Sequence, residues 1–511
     1  MKQGKVYLVG AGPGDPKLIT VKGRDVLEQA DVVVYDRLAN PSLLSFIKAE
    51  AERIYVGKRP DRHTLKQEVI NQMLVDLAKQ GKTVVRLKGG DPSVFGRVGE
   101  EAELLASHGI EFEMVPGVTS ATAVPLYAGI PVTHRDMTSS LAIVTGHECP
   151  VKEGTNLDWA KLSTATGTLI FLMGVGNLGT LKEVLIANGK DKATPAAVIQ
   201  WGTRARQRTV SGTLETIVDD VQRAGLQSPA VIIVGEVVRL RDKLNWVERK
   251  PLFGKRVLVT RTRGQASELA NRIYELGGEA IELPLIRIQR PASEARLERI
   301  AQTLSTVDRY DWILFTSVNG VAHFFEELRL ARLDVRRLAK ARIAAVGPKT
   351  AEALLERGLI AEQPEQCFQA EGLLEALRHE LKAGQKVLLP RSEQGRAILP
   401  EQLAELGLEV TDLPLYENVL CHENKEELLR LLKEEEVDMI TFTSSSTVNH
   451  LFELLGEAGV TRPLELLHNI EIVCIGPVTA KTAGKHGLTV HRQAAEATLD
   501  SLIEALCKSS W

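Results

Sequence analysis

Three loops in the first half of the chain carry residue types that chemistry can use. Gly10-Ala11-Gly12-Pro13-Gly14-Asp15-Pro16 directly follows the apolar run KVYLV. Gly89, Gly90 and Asp91 follow the run VVRLK, and Thr119 and Ser120 follow VPGV. Glycine lets a ligand come close to the backbone, while Asp, Thr and Ser set hydrogen-bonding groups beside it. Asp36 ends the run VVVYD, where a carboxylate can cap a strand end or accept a proton. The first loop does not read as a dinucleotide site. The third glycine of a G-x-G-x-x-G fingerprint would fall at position 15, which is Asp, and Pro13 and Pro16 each lack an N–H that a pyrophosphate cradle uses. In the second half, hydroxyl and amide side chains twice follow strand-like runs: Thr316, Ser317 and Asn319 after DWILF, and Thr443, Ser444 and Ser445 after DMITF. Thr350 and Thr479 follow the two Gly-Pro turns at the starts of expected helices. Helix N-termini attract anions, and the same residue types also cap helices.

These residues need a scaffold, and the chain supplies one by alternation. Short β-branched runs such as KVYLVG, ADVVVYD, LAIVTGH, GTLIFLMG and PAVIIVGEVV are separated by helical patterns that end in Gly. Strands alternating with helices predict a mostly parallel sheet covered by helices. Ligands in such sheets bind beyond the carboxyl ends of the strands, so the three loops are expected to converge on one pocket. The second half repeats itself. The segment from Lys255 matches that from Gln385 at an offset of 130 residues, Tyr310 onward matches Val437 onward at 127, and Arg342 onward matches Glu471 onward at 129. That period suits a small domain and not a solenoid unit, and predicts two similar α/β lobes with a cleft between them. The charged, turn-containing segment RLRDKLNWVERKPLFGKR separates the halves, with a linker at 248–254.

At 511 residues the chain has room for three to four domains. A formal net charge of −3 offers no basic excess for general nucleic-acid binding, so an acidic ligand must be drawn in by local clusters. Five scattered cysteines without a CxxC pair argue against a disulfide framework and a structural zinc site, and no metal is expected. The N-terminal apolar stretch meets Gly, Pro and Asp within a few residues and reads as a first strand, not a signal peptide. No window approaches 18 uninterrupted apolar residues, so no membrane span and a cytoplasmic location are expected.

Across residues 1–247 the strings VYLVGAGPGDPKLIT, VVVYDRL, VRLKGGDPSVFGR, VPGVTSA, PVTHR, VTGH, LMGV and SPAVIIVGEVVRLRDKLNW together resemble the uroporphyrinogen-III C-methyltransferases, a branch of the tetrapyrrole methylases. The resemblance implies two α/β domains that bind S-adenosylmethionine between them. It implies a cofactor pocket lined by Pro13, Gly89, Gly90, Asp91, Val94, Thr119, Ser120, Met173, Gly202 and Ala230. Asp36 would be the proton acceptor and Lys58 an acid partner, and a homodimer through this half is expected. The substrate of that family carries eight carboxylates, for which Arg59, Arg97 and Arg135 are candidate partners, with Lys58, Arg62 and Lys88 beside the same loops.

Residues 255–507 resemble the uroporphyrinogen-III synthases, through VLVTR, DWILFTSVNGV, AAVGPKTAEAL, PLYEN, TFTSSSTVNHLF and CIGPVTAKTA in order. That likeness implies two α/β lobes joined by a two-stranded ladder, with chain crossings at LPLIRI (283–288) and LPLYEN (413–418). One lobe would hold 255–286 and 418–507, the other 287–417. Tyr416, by its residue type alone a hinge-packing aromatic, would assist departure of a substrate hydroxyl as an acid. Thr316, Ser317, Asn319, Thr350, Thr443, Ser444, Ser445 and Thr479 would hold carboxylates. Together the two resemblances imply one chain that cyclises hydroxymethylbilane to uroporphyrinogen III and methylates it twice to precorrin-2. A nicotinamide oxidoreductase using the first glycine loop, and a methylase regulated by a two-lobed sensor, are the competing readings.

Overall fold

A computed structural model describes residues 3–48, 50–57, 66–148, 157–261, 263–364, 370–395 and 398–508. Its strands form four five-stranded sheets, two in each half.

The first sheet holds β1 (Lys5–Gly10), β2 (Val32–Tyr35), β3 (Glu52–Tyr55), β4 (Val84–Lys88) and β5 (Glu111–Val115) in the order β3-β2-β4-β1-β5. Every pairing is parallel. The inner strands β1 and β2 are largely apolar because both faces are covered. Val6, Leu8, Val32, Val34 and Val84 meet Leu74, Val75 and Leu105 on one side. Val9, Val33, Val85 and Leu87 meet Val26, Leu27 and Leu43 on the other.

The second sheet holds β6 (Leu141–Thr145), β7 (Thr168–Leu172), β8 (Pro195–Gln200), β9 (Arg208–Thr213) and β10 (Ala230–Val234) in the order β6-β7-β10-β8-β9. Here the expected parallel sheet is corrected. Only β6 and β7 run parallel; β10 is antiparallel to both β7 and β8, and β8 is antiparallel to β9. Residues 201–207 alone connect β8 to β9, and a parallel crossover needs about a dozen residues or more. The chain therefore turns back as a hairpin.

The second half builds two sheets of the same plan. β11 (Arg256–Val259), β12 (Glu279–Glu282), β18 (Met439–Phe442), β19 (Glu471–Cys474) and β20 (Arg492–Gln493) lie in the order β12-β11-β18-β19-β20. β13 (Ile286–Gln289), β14 (Trp312–Phe315), β15 (Arg342–Ala345), β16 (Lys386–Ser392) and β17 (Glu409–Leu420) lie in the order β13-β17-β16-β14-β15. The sequence repeat maps β11, β18 and β19 onto β16, β14 and β15, which occupy matching places in their sheets. The chain passes between the lobes where β13 pairs antiparallel with the far end of β17, from Ile286↔Leu420 to Gln289↔Glu417. β17 is twelve residues long and so serves both its own sheet and this ladder. Each lobe has its own core, around Phe442, Leu451 and Ile472 in one and Phe315, Phe324 and Leu354 in the other. Among the described residues no helix is long and apolar enough to cross a membrane.

Candidate functional site

The carboxyl ends of β4, β1 and β5 are adjacent, and three loops leave them in contact. Gly12 and Gly90 exchange backbone hydrogen bonds of 3.2 and 2.7 Å, and Ala11 N donates to Lys88 O at 2.7 Å. The loops approach so closely that a side chain at Gly117 would place Cβ 2.4 Å from Gly90 O and 2.8 Å from Gly10 Cα. Asp91 ties them together: Oδ2 accepts from Gly117 N at 3.1 Å and Oδ1 from Ser93 N at 2.7 Å. The carboxylate expected to hold a ligand therefore also braces the loops. Thr119 caps the helix Ser120–Tyr127, its side chain accepting from Ala121 N at 3.3 Å. Gly90, at φ +70°, faces open space with Ser120 N 3.8 Å from where a Cβ would stand.

The second sheet closes the crevice from across. Met173, Gly202 and Ala230 sit at one end of β7, β8 and β10, since Leu172 pairs with Val231 and Gln200 with Ala230. Met173 has φ 57° and is 48% exposed, so it stands out of the core and does not fill it. Gly202 lies so close to Val124 of the helix Ser120–Tyr127 that a Cβ there would meet Val124 Cγ1 at 2.3 Å. Val94 packs against the same cluster as Ala121, Val124 and Ile170. Asp15 N donates to Thr203 Oγ1 at 3.0 Å and Tyr127 donates its hydroxyl to Asp15 Oδ2 at 2.8 Å, which fixes the half-buried Pro13 turn against the second sheet. The contacts thus bring the Pro13, Gly90, Asp91, Val94 and Thr119 segments against Gly202, with Met173 and Ala230 at the same end of the second sheet. A small, glycine-lined crevice with backbone N–H groups at a helix start, a half-exposed Met and a carboxylate fits an adenosyl amino acid, which needs close backbone approach and polar partners for its ribose, amine and carboxylate.

Asp36 lies at the rim, at the end of β2. Its Oδ1 accepts from Leu38 N at 3.0 Å and its Oδ2 from Arg86 Nη2 at 3.1 Å. Arg86 continues inward, with Nε 3.4 Å from Glu101 Oε1, which also accepts from Lys88 Nζ at 2.6 Å and Gln67 Nε2 at 3.0 Å. Glu101 is fully buried, and its Oε2 has no partner among the described residues. Burial pushes the Lys88 ammonium below its ordinary value, with Glu101 opposing the shift. Lys88, by sequence one of the cations beside the pocket loops, is instead buried and committed to Glu101. Arg97, at φ 58°, is exposed and forms a bidentate pair with Glu100, and Arg135 is exposed. Lys58, Arg59 and Arg62 lie outside the described residues. Arg86 and Glu101 were missed. The signal for Arg86 was a charge inside the apolar run VVRLK; Glu101 looked like an ordinary acid in a helix's first turn.

In the second half, Tyr416 is buried on β17 with its hydroxyl 2.9 Å from Ser317 Oγ. Ser317 caps the helix Val318–Leu330 by accepting from Gly320 N at 3.0 Å. His323, one and a half turns along, stacks on the Tyr416 ring at 5.1 Å between centroids. Burial pushes the Tyr416 hydroxyl up, with Ser317 opposing the shift, so it is held protonated at neutral pH. Thr316 and Asn319 flank this pair, half-buried. The other lobe repeats the cap: Ser444 accepts from Thr447 N at 3.3 Å. Ser445, beside Thr443, bonds Val478 O at 3.4 Å and accepts from Thr482 Oγ1 at 3.0 Å. Thr350 and Thr479 are buried within their helices, behind the Gly-Pro turns. The repeat sets Ile286 where Tyr416 stands, so of this matched pair Tyr416 alone carries a hydroxyl.

A pair of α/β domains with a glycine-lined crevice between them, followed by two matched lobes linked by a ladder, defines a two-part enzyme. "Tetrapyrrole (Corrin/Porphyrin) Methylases" match residues 5–218, and "Uroporphyrinogen-III synthase HemD" matches residues 267–504. The chain is 40% identical over 508 residues to the porphyrin biosynthesis protein HemD of Ruminiclostridium josui, covering 99% of this chain and 98% of the relative. It is 40% identical over 498 residues to a uroporphyrinogen-III C-methyltransferase of Bacillus subtilis, covering 96% and 95%. An S-adenosyl-L-methionine-dependent uroporphyrinogen III methyltransferase of Methanosarcina barkeri is 54% identical over 241 residues, 47% of this chain and 94% of that one. The chain belongs to the fused uroporphyrinogen-III methyltransferase and uroporphyrinogen-III synthase family of tetrapyrrole biosynthesis.

Proposed function

We propose that the second half closes hydroxymethylbilane to uroporphyrinogen III with inversion of ring D, and that the first half methylates this product at C-2 and C-7 to give precorrin-2. The observation that carries the first-half reading is the convergence of the Gly12, Gly90 and Thr119 loops with Met173 and Gly202 between two sheets. The methyl donor is S-adenosylmethionine, whose sulfonium supplies an already activated methyl group. Pro13, Gly89, Gly90, Asp91, Val94, Thr119, Ser120, Met173, Gly202 and Ala230 would hold it. Asp36, fixed by Arg86 and Leu38 N, takes the proton released when the methylated ring regains its conjugation. The remaining work is alignment of an electron-rich carbon with the donor, which binding in a crevice between two rigid sheets provides.

In the synthase half, Tyr416 donates its proton to the departing hydroxyl, and Ser317 orients the phenol. Hydroxyl and N–H groups at the two sets of helix starts hold carboxylates without requiring a basic protein. The product feeds sirohaem or cobalamin synthesis in the cytoplasm, and the methylase half pairs with a second copy. Incubation with hydroxymethylbilane and methyl-labelled S-adenosylmethionine tests the reading: a doubly labelled type III product is expected. Uroporphyrinogen I, or an unlabelled macrocycle, rejects one half or the other. Failure of residues 255–507 alone to form the type III isomer favours the sensor reading.

A further inference from the structure

Residues 201–207, between β8 and β9, touch both halves of the chain. Trp201 and Thr203 hold left-handed backbone at φ 49° and 67°, a conformation that side-chain-bearing residues keep only where their surroundings over-determine it. Inside the methylase half, Thr203 N donates to Gln207 Oε1 at 2.9 Å and Thr203 Oγ1 accepts from Asp15 N at 3.0 Å. Trp201 N also donates to Pro229 O at 3.1 Å and Gln207 Nε2 to Glu248 Oε1 at 3.3 Å, and further anchors come from the synthase half. Arg204 Nε lies 3.1 Å from Glu279 Oε1 on β12, its Nη2 bonds the same carboxylate, and the two side chains are only 13% and 7% exposed. Arg206 stacks its guanidinium 3.6 Å over the Trp201 ring and reaches Glu436 at 3.6 Å.

The Arg204 stem forms the floor under the first glycine loop: a Cβ on Gly14 would meet Arg204 Cγ and Thr203 Oγ1, each at 2.8 Å. A cavity of about 50 Å³ lined by Gly14, Asp15, Thr203, Arg204, Tyr274 and Glu279 lies at this seam. Trp201 also faces Arg37, the residue after Asp36, at 5.6 Å. One loop thereby links Glu279 and Glu436 to the Gly14 turn, to Gly202 and to the neighbourhood of the proposed base.

We infer that Glu279 of the synthase half is a positioning residue for methylation: by pinning Arg204 beneath the Gly14 turn it couples docking of the two halves to cofactor affinity. The inference rests on the assignment of the crevice to S-adenosylmethionine. A buried guanidinium that loses its carboxylate cannot stay where it is. Without Glu279, Arg204 turns to water, its stem leaves Gly14, and the Thr203–Asp15 bond loses its support. Coupling is reciprocal, so a bound cofactor also tightens the seam.

The test uses the full chain. Glu279→Gln should weaken S-adenosylhomocysteine binding by calorimetry about tenfold, within the usual range of such couplings. KM for S-adenosylmethionine should rise more than kcat falls, while conversion of hydroxymethylbilane stays within twofold. Arg204→Met should weaken binding similarly, and the pair Arg204→Met/Glu279→Met should lose less than the two losses multiplied together. If Glu279→Gln does not fold, Glu436→Gln, whose carboxylate is 28% exposed, should show a smaller weakening of the same kind. Unchanged affinity in the folded carboxamide variants overturns the inference even if their thermal midpoints fall. A native chain that binds no S-adenosylhomocysteine overturns the crevice assignment itself.

Discussion

Replacing Glu101 by Gln removes one negative charge from a buried set that otherwise balances Arg86 and Lys88 against Asp36 and Glu101. Both cations have side chains 5–6% exposed, and Glu101 is fully enclosed. Burial this deep keeps bulk solvent from compensating the lost charge. Breaking a buried pair by removing one partner costs about 3–5 kcal/mol. A carboxamide oxygen can still accept one hydrogen bond, which returns about 1 kcal/mol, and leaves a deficit of about 2–4 kcal/mol. At about 2–4 °C per kcal/mol for a unit of 150–250 residues, the methylase transition should fall by about 4–16 °C in a calorimetric scan.

The sign of the pH dependence follows from Lys88. Burial lowers its ammonium from 10.5 even with Glu101 present, and losing Glu101 lowers it further. Between that lowered value and 10.5 the unfolded chain holds more protons at this residue than the folded chain, so folding stability rises with pH. The gap between Glu101→Gln and the native chain must therefore narrow as the pH is raised from 7 toward 10.5. Glu101→Leu with Lys88→Met, which removes both charges, should recover most of the loss. A midpoint within 2 °C of native, as an approximate threshold (about one scan error), or a gap that widens with pH, would refute the account of this cluster.

Four further outcomes are expected. Asp36→Asn should keep S-adenosylhomocysteine affinity within twofold while methylation falls about 10²–10⁴-fold, the range for removal of a general base; unchanged turnover with labelled donor removes Asp36 from that role. Tyr416→Phe breaks the 2.9 Å bond to Ser317, costs about 1 kcal/mol in denaturant unfolding, and should slow hydroxymethylbilane conversion without touching methylation of added uroporphyrinogen III; equal loss in both reactions contradicts it. Gly117→Ala sets a Cβ 2.4 Å from Gly90 O, against backbone that cannot yield, and should cost about 1–3 kcal/mol or more and abolish cofactor binding; retained binding would show that the loops are not held as described. Burial lowers His323, with Glu326 and Glu327 opposing, so the unfolded chain takes up its proton first and the native state loses stability as pH falls below 6.5. His323→Phe should flatten that acid limb in pH-dependent unfolding, and an unaltered limb argues against it.

Much of this architecture was legible because it rests on local patterns. The 127–130-residue repeat announced two lobes, and four strands of each sheet follow it in the same order, β12-β11-β18-β19 against β17-β16-β14-β15. The glycine loops were legible because φ-positive turns and close backbone approach both demand glycine, as at Gly12 and Gly90. What escaped was set by chain reversal and by partners distant in sequence. The β8–β9 hairpin makes the second sheet mostly antiparallel, although its strands are as apolar as those of the parallel first sheet. Thr203 meets Asp15 across 188 residues, and nothing in either segment marks the other.

The buried charges show the same limit from the side of chemistry. Glu100 and Glu101 are neighbours of one type in one helical turn, yet the first is exposed and pairs with Arg97 while the second is fully buried beneath Asp36. A helix turns about 100° per residue, so adjacent acids must face differently, and only the sheet beneath decides which one is enclosed. Once Glu101 is inside, Arg86 and Lys88 cannot remain without it, and Arg86 then fixes Asp36 at the crevice. The near-neutral net charge of −3 thus conceals paired charges that organise the methylase rim. The charges available to an acidic substrate are the ones those pairs leave uncommitted.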